Sequence, residues 1–575
     1  MTDPRRSTRA LRIPVAAATL LAGAPAGALG ADLQGIVNRA VRSGEAQVRL
    51  PPGRHVSNRA LRIAGATDLT IHANGTRLVL SNPVAGAVVV RHSTRVRIIG
   101  LAIDYEPLPF TQGRVVRADP GSGTYDIRLD AGYGFAGRRF PGGEADLHIA
   151  DPRVVRPALR GGSVYGGSVR PLTRGVVRWR ALAETAMAFY DIRIGDRAAL
   201  AARWSHCGVE SIDSRGTRLE DVRIAAAPGC GVGETRGGGS RIRVVVGPGG
   251  PPRGGSAPRL LSTNRDGIHS SGALPGPLIE RSVVRSPGDD GINIENRLSK
   301  IVARTGGDIV RDPDFPPLTA GDRIRAYDAA TLRVSGEGRV RSVKGARVRV
   351  EGMEGAAVGH WIVAPRYASA GMVRSTRIFG PARCGIVARG RDVRVLRNRV
   401  QFAEVCGIWI GGELGSYQEG DFASGGIVAG NDLRNIGASR NAVGDFQPLI
   451  GAITVGSIGP ASAEGYTAWN GGRPVQRIRV VGNRISSTAL FGLFVTGAKE
   501  VVACENRFSG TNSQSRRRAG ALFDVAPAKP IGVRDADAVT LARNSPAGTD
   551  ILQLDATADA ASVGFQAACP PRTAG

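Results

Sequence analysis

Two Asp-Gly units stand 24 residues apart in this sequence, at Asp266 and Asp290, and the second has a further acid, Asp289, directly before it. Carboxylates gathered within a few ångströms repel one another when ionised, so at least one holds its proton to a higher pH than a free Asp. That split suits cleavage of a glycosidic bond, where one group protonates the departing oxygen and another activates water or attacks carbon. His269 and Asn293 each follow an Asp-Gly unit and can hydrogen-bond sugar hydroxyls, as can Asn264 just upstream. Trp409 offers an aromatic face to a sugar ring. The stretch GGELGSYQEGDF places Glu413, Tyr417 and Glu419 on a loop able to close one end of a cleft. Blander readings accompany each of these: Asp-Gly as a plain turn, the acids as a calcium site, Trp409 as a partly buried filler, and the loop as a surface turn.

What brings distant acids together is a repeat. A unit of one variable residue, then Gly, then Ile, Val or Leu recurs at Cys230, Asp266, Asp290, Cys384, Cys406 and Phe491. Asp266 to Asp290 is 24 residues, Cys384 to Cys406 is 22, and Asn483 to Asn506 is 23. A period of this size holds about three short strands and three turns, one coil of a parallel β-helix with coils ~4.8 Å apart. Ile268, Ile292, Ile386 and Ile408 then stack in the core, while His269, Asn293, Val387 and Trp409 face outward. The column before Gly becomes mostly small or apolar, with carboxylates on two adjacent coils. In the same register Arg265 falls beside Asp289, where a guanidinium lowers an acid's pKa. The cysteines of this column read as small apolar stack members rather than disulfides, although Cys384 and Cys406 are close enough to bridge.

Composition agrees with many short strands and tight turns: 575 residues, 80 of them Gly, and 5% aromatics. The formal charge of +27 is carried almost wholly by arginines scattered singly. It reads as a solvated surface, with a preference for acidic glycans as the functional alternative, and no motif for nucleic acid accompanies it. Residues 1–30 read as an export signal, Arg5 and Arg6 preceding a weakly apolar run too short to span a bilayer. The expected protein is therefore exported, to the periplasm or beyond, and needs no membrane partner. A capping helix and first coils follow over 31–110. The antiparallel-looking stretches 111–205 and 298–370 read as small β-barrel-like inserts, 206–297 as the coils carrying the acids, 371–548 as the C-terminal coils, and 549–575 as a tail. The predicted fold class is all-β, a right-handed parallel β-helix with an N-terminal capping helix and two inserted barrels. Nothing in the sequence sets the oligomeric state.

At LLSTNRDGIHS followed by SPGDDGINIEN the chain resembles the pectin-lyase-like β-helix glycosidases, and most closely the α-1,3-galactosidases of glycoside hydrolase family 110. DYEPLPFTQG, SRGTRLEDVRIAAAPGCGV and the two inserts extend the likeness over most of residues 31–520. The resemblance implies an exo-acting, inverting hydrolase of terminal α-galactosides that needs no metal or other cofactor. It implies that Asp289 is the general acid and that Asp266 and Asp290 position and deprotonate water. A polysaccharide lyase or epimerase, and a non-enzymatic glycan-binding solenoid, are the competing expectations.

Overall fold

The computed structural model describes residues 32–569 apart from 136, 138–139, 151–158, 183–191, 205, 313–317, 368–370, 414–418, 438–450, 459–460, 463–464, 467–471, 490, 512–528, 547–548 and 555–562. The expected export signal lies outside the described residues.

The chain folds as a right-handed parallel β-helix. One ladder of core residues shows it most clearly. Leu61, Val88, Val209, Val232, Ile268, Ile292, Ile386, Ile408, Ile453, Leu493 and Ile531 pair in parallel register, each on the strand of the next coil. All are buried, and each such side chain removed from water contributes about 1.5–3 kcal/mol. The isoleucines at 268, 292, 386 and 408 thus stack as their spacing predicts.

The Gly of each repeat unit has a steric cause. A Cβ on Gly267 would lie 2.6 Å from the Gly291 carbonyl oxygen, and one on Gly291 would lie 2.5 Å from that of Gly385. Coils therefore approach at this corner closely enough to require a bare α-carbon. At another corner Asn398, Asn431, Asn483, Asn506 and Asn544 form a buried ladder. Each of the first four donates both its backbone N–H and its Nδ2 to the Oδ1 of the next, at 2.8–3.0 Å.

The helix Leu33–Ser43 caps the N-terminal end, burying Leu33, Val37 and Ala40 against the first coils. Asp32 accepts from the Gly35 N–H at its start, and Gly44 ends it in the left-handed conformation. Two closed six-stranded antiparallel barrels interrupt the coils, one running from Phe110 to Ala201 and the other from Ser299 to Val363. Each has its own core, around Trp179 in the first and Ile301 in the second.

One expectation is corrected. Cysteines pair as Cys207–Cys230, Cys384–Cys406 and Cys504–Cys569. The first two pairs sit on adjacent coils with Cα atoms 4.5 Å apart, inside the range a disulfide spans. Within the expected tail, Leu552–Leu554 and Val563–Gln566 both pair in parallel with Ile531–Ala542.

Candidate active site

Strands Ile268–Ser271 and Ile292–Arg297 lie side by side, so the corners that precede them superpose. This sets Asp266 directly beside Asp290, whose backbone N–H donates to Asp266 Oδ1 at 3.1 Å. Asp289 shares the corner, and one carboxylate oxygen from each acid lies within 4.8 Å of the others. The three acids expose 2–4% of their surface, while the side chains of Arg203 and His269 bonded to them are 25% and 17% exposed.

The three acids differ electrically. Burial pushes Asp289 up, but Arg203, which hydrogen-bonds its Oδ2, together with Arg383 and Arg265, more than reverses this and holds it below the usual carboxylate range. Arg383 Nη1 approaches its Oδ1 at 3.5 Å. Asp290 moves the other way: burial raises it well above that range, and the neighbouring charges of Asp289 and Asp266 add to the rise against the pull of Arg383. Asp290 Oδ1 accepts the Cys384 N–H at 2.8 Å, which leaves Oδ2 to carry the proton. Asp266 Oδ2 receives the His269 ring at 2.7 Å, and the far side of that ring meets Glu295 at 3.3 Å. Burial lowers the His269 pKa, yet these two carboxylates outweigh it and bring it up to about 10. His269 is thus a fixed cation clamped between two acids.

Several groups around the acids escape a reading of the sequence. Arg203 comes from the return of the first barrel, where it also meets Asp146 at 3.5 Å and lies 5.1 Å above the Tyr165 ring. Asp146, in the same barrel, is pushed up to about 6 by burial, against Arg203. Arg383 did leave a signal: it precedes Cys384 as Asp289 precedes Asp290, one coil on. No such register points to Arg203, because the barrel that delivers it is not part of the repeat.

Other expected site residues land as follows. Asn293 donates to Glu419 at 3.3 Å and accepts from Arg389 at 2.9 Å, while Arg389 also meets Glu419 at 2.6 Å. Glu419 reaches this place because Glu419–Gly420 pairs antiparallel with Asn296–Arg297. Burial raises the Glu419 pKa, but Arg389, His269, Arg383 and the Asn293 hydrogen bond together more than reverse this and lower it. Trp409 is corrected. It is 2% exposed, its indole N–H donates to the Gly456 carbonyl at 2.9 Å, and the Arg389 guanidinium covers its face at 4.5 Å, so no face is open to a sugar. Asn264 is corrected as well: it is fully buried and donates to the carbonyls of Pro109 and Ala202, tying the two roots of the first barrel to the corner. The strand Ile408–Glu413 ends at Glu413, whose side chain, like the whole of Tyr417, lies outside the described residues.

The acids meet the geometric requirement of a cation site. Their partners already supply positive charge: Asp289 faces two arginines, and Asp266 is hydrogen-bonded to the His269 ring.

No family model matches the sequence, and no match is found among curated proteins. Solved structures that are similar include the catalytic domain of a GH87 alpha-1,3-glucanase in complex with tetrasaccharides, at TM-score 0.41 and 10% identity, covering 95% of this chain and 68% of that one. An exopolygalacturonase from Thermotoga maritima matches at TM-score 0.39 and 12% identity, covering 83% of each chain. The periplasmic alginate epimerase AlgG matches at TM-score 0.36 and 10% identity, covering 90% of this chain and 82% of that one. Likenesses this remote carry nothing about activity, and the fold rests on this chain's own strand pairings.

Proposed function

We propose that this chain is an exported, exo-acting glycoside hydrolase that removes a terminal α-linked galactose, or a closely similar sugar, from a glycan. The observation that carries the reading is the split of one acidic corner into a neutral carboxyl, Asp290, and an arginine-held carboxylate, Asp289, with Asp266 one coil away. A proton donor must hold its proton at working pH. Asp290 fits that requirement, and Asp289 does not. The donor role implied for Asp289 by the family 110 resemblance therefore passes to Asp290: its Oδ2 proton goes to the departing glycosidic oxygen. Asp289, held below the usual carboxylate range by its arginines, and Asp266, hydrogen-bonded to His269, orient and deprotonate the attacking water.

The choice of α-galactoside, the exo action and the inversion rest on that resemblance. One carboxylate oxygen from each acid lies within 4.8 Å of the others, closer than the ~6.5–9.5 Å usual between the two groups of an inverting enzyme, so the inversion rests on the resemblance and not on this spacing. Three disulfides suit an oxidising compartment and support export.

The test is a panel of aryl α- and β-glycosides with and without chelator, followed by NMR of the first-formed anomer. Chelator-insensitive release from the α-galactoside, giving β-galactose first, is the expected result. Chelator-sensitive formation of an unsaturated sugar would assign a lyase instead, and glycan retention without turnover would assign a binding solenoid.

A further inference from the structure

Around the corner from the acids, the sheet that follows the asparagine ladder carries a column of arginines. In successive coils Arg377 pairs with Arg399, Arg399 with Asp432, Asp432 with Arg484, and Arg484 with Arg507. All four arginines are exposed. At ~4.8 Å per coil the column extends roughly 20 Å along the axis. A second column two residues away runs Arg285, Phe379, Gln401, Arg434, Ser486, Ser509. Two hollows lie on this strip. One of about 460 Å³ is lined by Arg285, Arg377, Arg399, Phe379 and Gln401 among others. One of about 930 Å³ is lined by Arg484, Arg507 and Arg543 with Asp432 and Glu505.

Several arginines elsewhere on the solenoid are matched with acids: Arg97 with Glu220 at 2.6 Å, Arg236 with Asp213 at 2.9 Å, and Arg374 with Glu280 at 2.6 Å. On the strip the acids are too few. Asp432 serves Arg434 at 2.9 Å and Arg399 only at 3.8 Å, and Glu505 serves Arg543 at 3.2 Å. Among the described residues no carboxylate pairs with the guanidinia of Arg285, Arg377, Arg484 or Arg507. Like charges stacked on neighbouring strands disfavour the fold, and an anionic ligand lying across the rungs relieves that repulsion.

We infer that this strip binds a linear acidic polysaccharide, carboxylates on guanidinia, with Gln401, Ser486 and Ser509 available to hydroxyls. The rung spacing is close to the length of one pyranose unit, so a polyuronate meets about one arginine per sugar. A single-stranded nucleic acid asks for aromatic platforms along its path, whereas among the described residues the strip has a paired aromatic contact at Phe379 and Phe402 alone.

The test measures retention without turnover and so stands apart from the proposed hydrolysis. The full chain is run through native gels containing polygalacturonate or neutral dextran, and titrated with oligothymidylate. Wild type should be retarded by polygalacturonate alone, and the effect should fade with salt. Replacing Arg377, Arg399 and Arg484 together by Gln should weaken retention about tenfold or more, while replacing Arg97, Arg236 and Arg374 by Gln, an equal loss of charge, should change it by less than about twofold. Equal losses in the two triples, no retention of wild type, or tighter binding of oligothymidylate would overturn the inference. Melting at low salt separates binding from folding: the strip triple should melt no lower than wild type, and a clear drop would show that these guanidinia serve the fold instead.

Discussion

At the scale of single residues, Asp289 and Asp290 are adjacent in sequence yet pushed in opposite directions by partners the chain brings from elsewhere. Asp289 sits against Arg203 and Arg383; Asp290 sits against other acids and a backbone N–H. The near-isosteric change to Asn therefore acts differently at each. Asp289→Asn leaves two guanidinia facing a neutral amide inside the protein, and should cost about 3 kcal/mol in denaturant unfolding at pH 7. The sign with pH follows. Asp289 has a lowered folded pKa, so its contribution to stability is complete above the unfolded value and fades as pH falls through the folded one. The gap between wild type and Asp289→Asn should accordingly narrow on acidification. A gap that stayed constant to low pH would mean the ion pairs contribute nothing. Asp266, Asp289 and Asp290 were legible as one group because the repeat register superposes them. Trp409 and Asn264 were misread because a side chain directed away from the solenoid core is still buried when an insert or a neighbouring arginine covers it, and nothing local announces the cover.

At the scale of elements, two corner devices hold the coils in register. The Gly of the repeat unit answers a close carbonyl on the next coil, at 2.5–2.6 Å from a notional Cβ, so the motif that reads as a turn signal is a contact requirement. The asparagine ladder satisfies corner N–H groups that no strand reaches. In Asn483→Ala, the Asn431 N–H loses its Oδ1 acceptor and the Val428 carbonyl loses its donor. Each unsatisfied buried group costs about 1–3 kcal/mol, so unfolding should show a loss of about 2–4 kcal/mol with the m-value unchanged. A loss below about 0.5 kcal/mol would contradict the assignment. The sequence showed the 23-residue interval between Asn483 and Asn506 but not its meaning, since a buried amide ladder and an exposed turn amide share one spacing. The solenoid itself was readable for a simple reason: parallel coils stack like on like, so core, glycine corner and acid corner all repeat with the coil. The cysteines followed the same column, and their pairing depended on which way the sulfurs turned, which spacing alone leaves open.

At the scale of the whole molecule, the first barrel interrupts the chain between the strands Ala102–Tyr105 and Val209–Ile212, and the second barrel follows directly on the strand Ile292–Arg297. The first supplies Arg203, and Glu419, in the segment after the strand Ile408–Glu413, meets Asn293. The solenoid provides the acids with Arg383 and Arg265, and the first barrel adds Arg203, so neither part alone makes the site. The claim on which the account turns is that Asp290 holds the proton delivered to the leaving sugar oxygen. It is measured directly by kcat/KM against pH on an aryl α-galactoside for wild type and Asp290→Asn. Wild-type activity should fall at alkaline pH as the raised Asp290 loses its proton. Asp290→Asn should lower kcat by about 10²–10⁴-fold while melting at the wild-type temperature at neutral pH, since Asn mimics the neutral acid. Wild-type turnover in the folded Asp290→Asn protein would contradict the account.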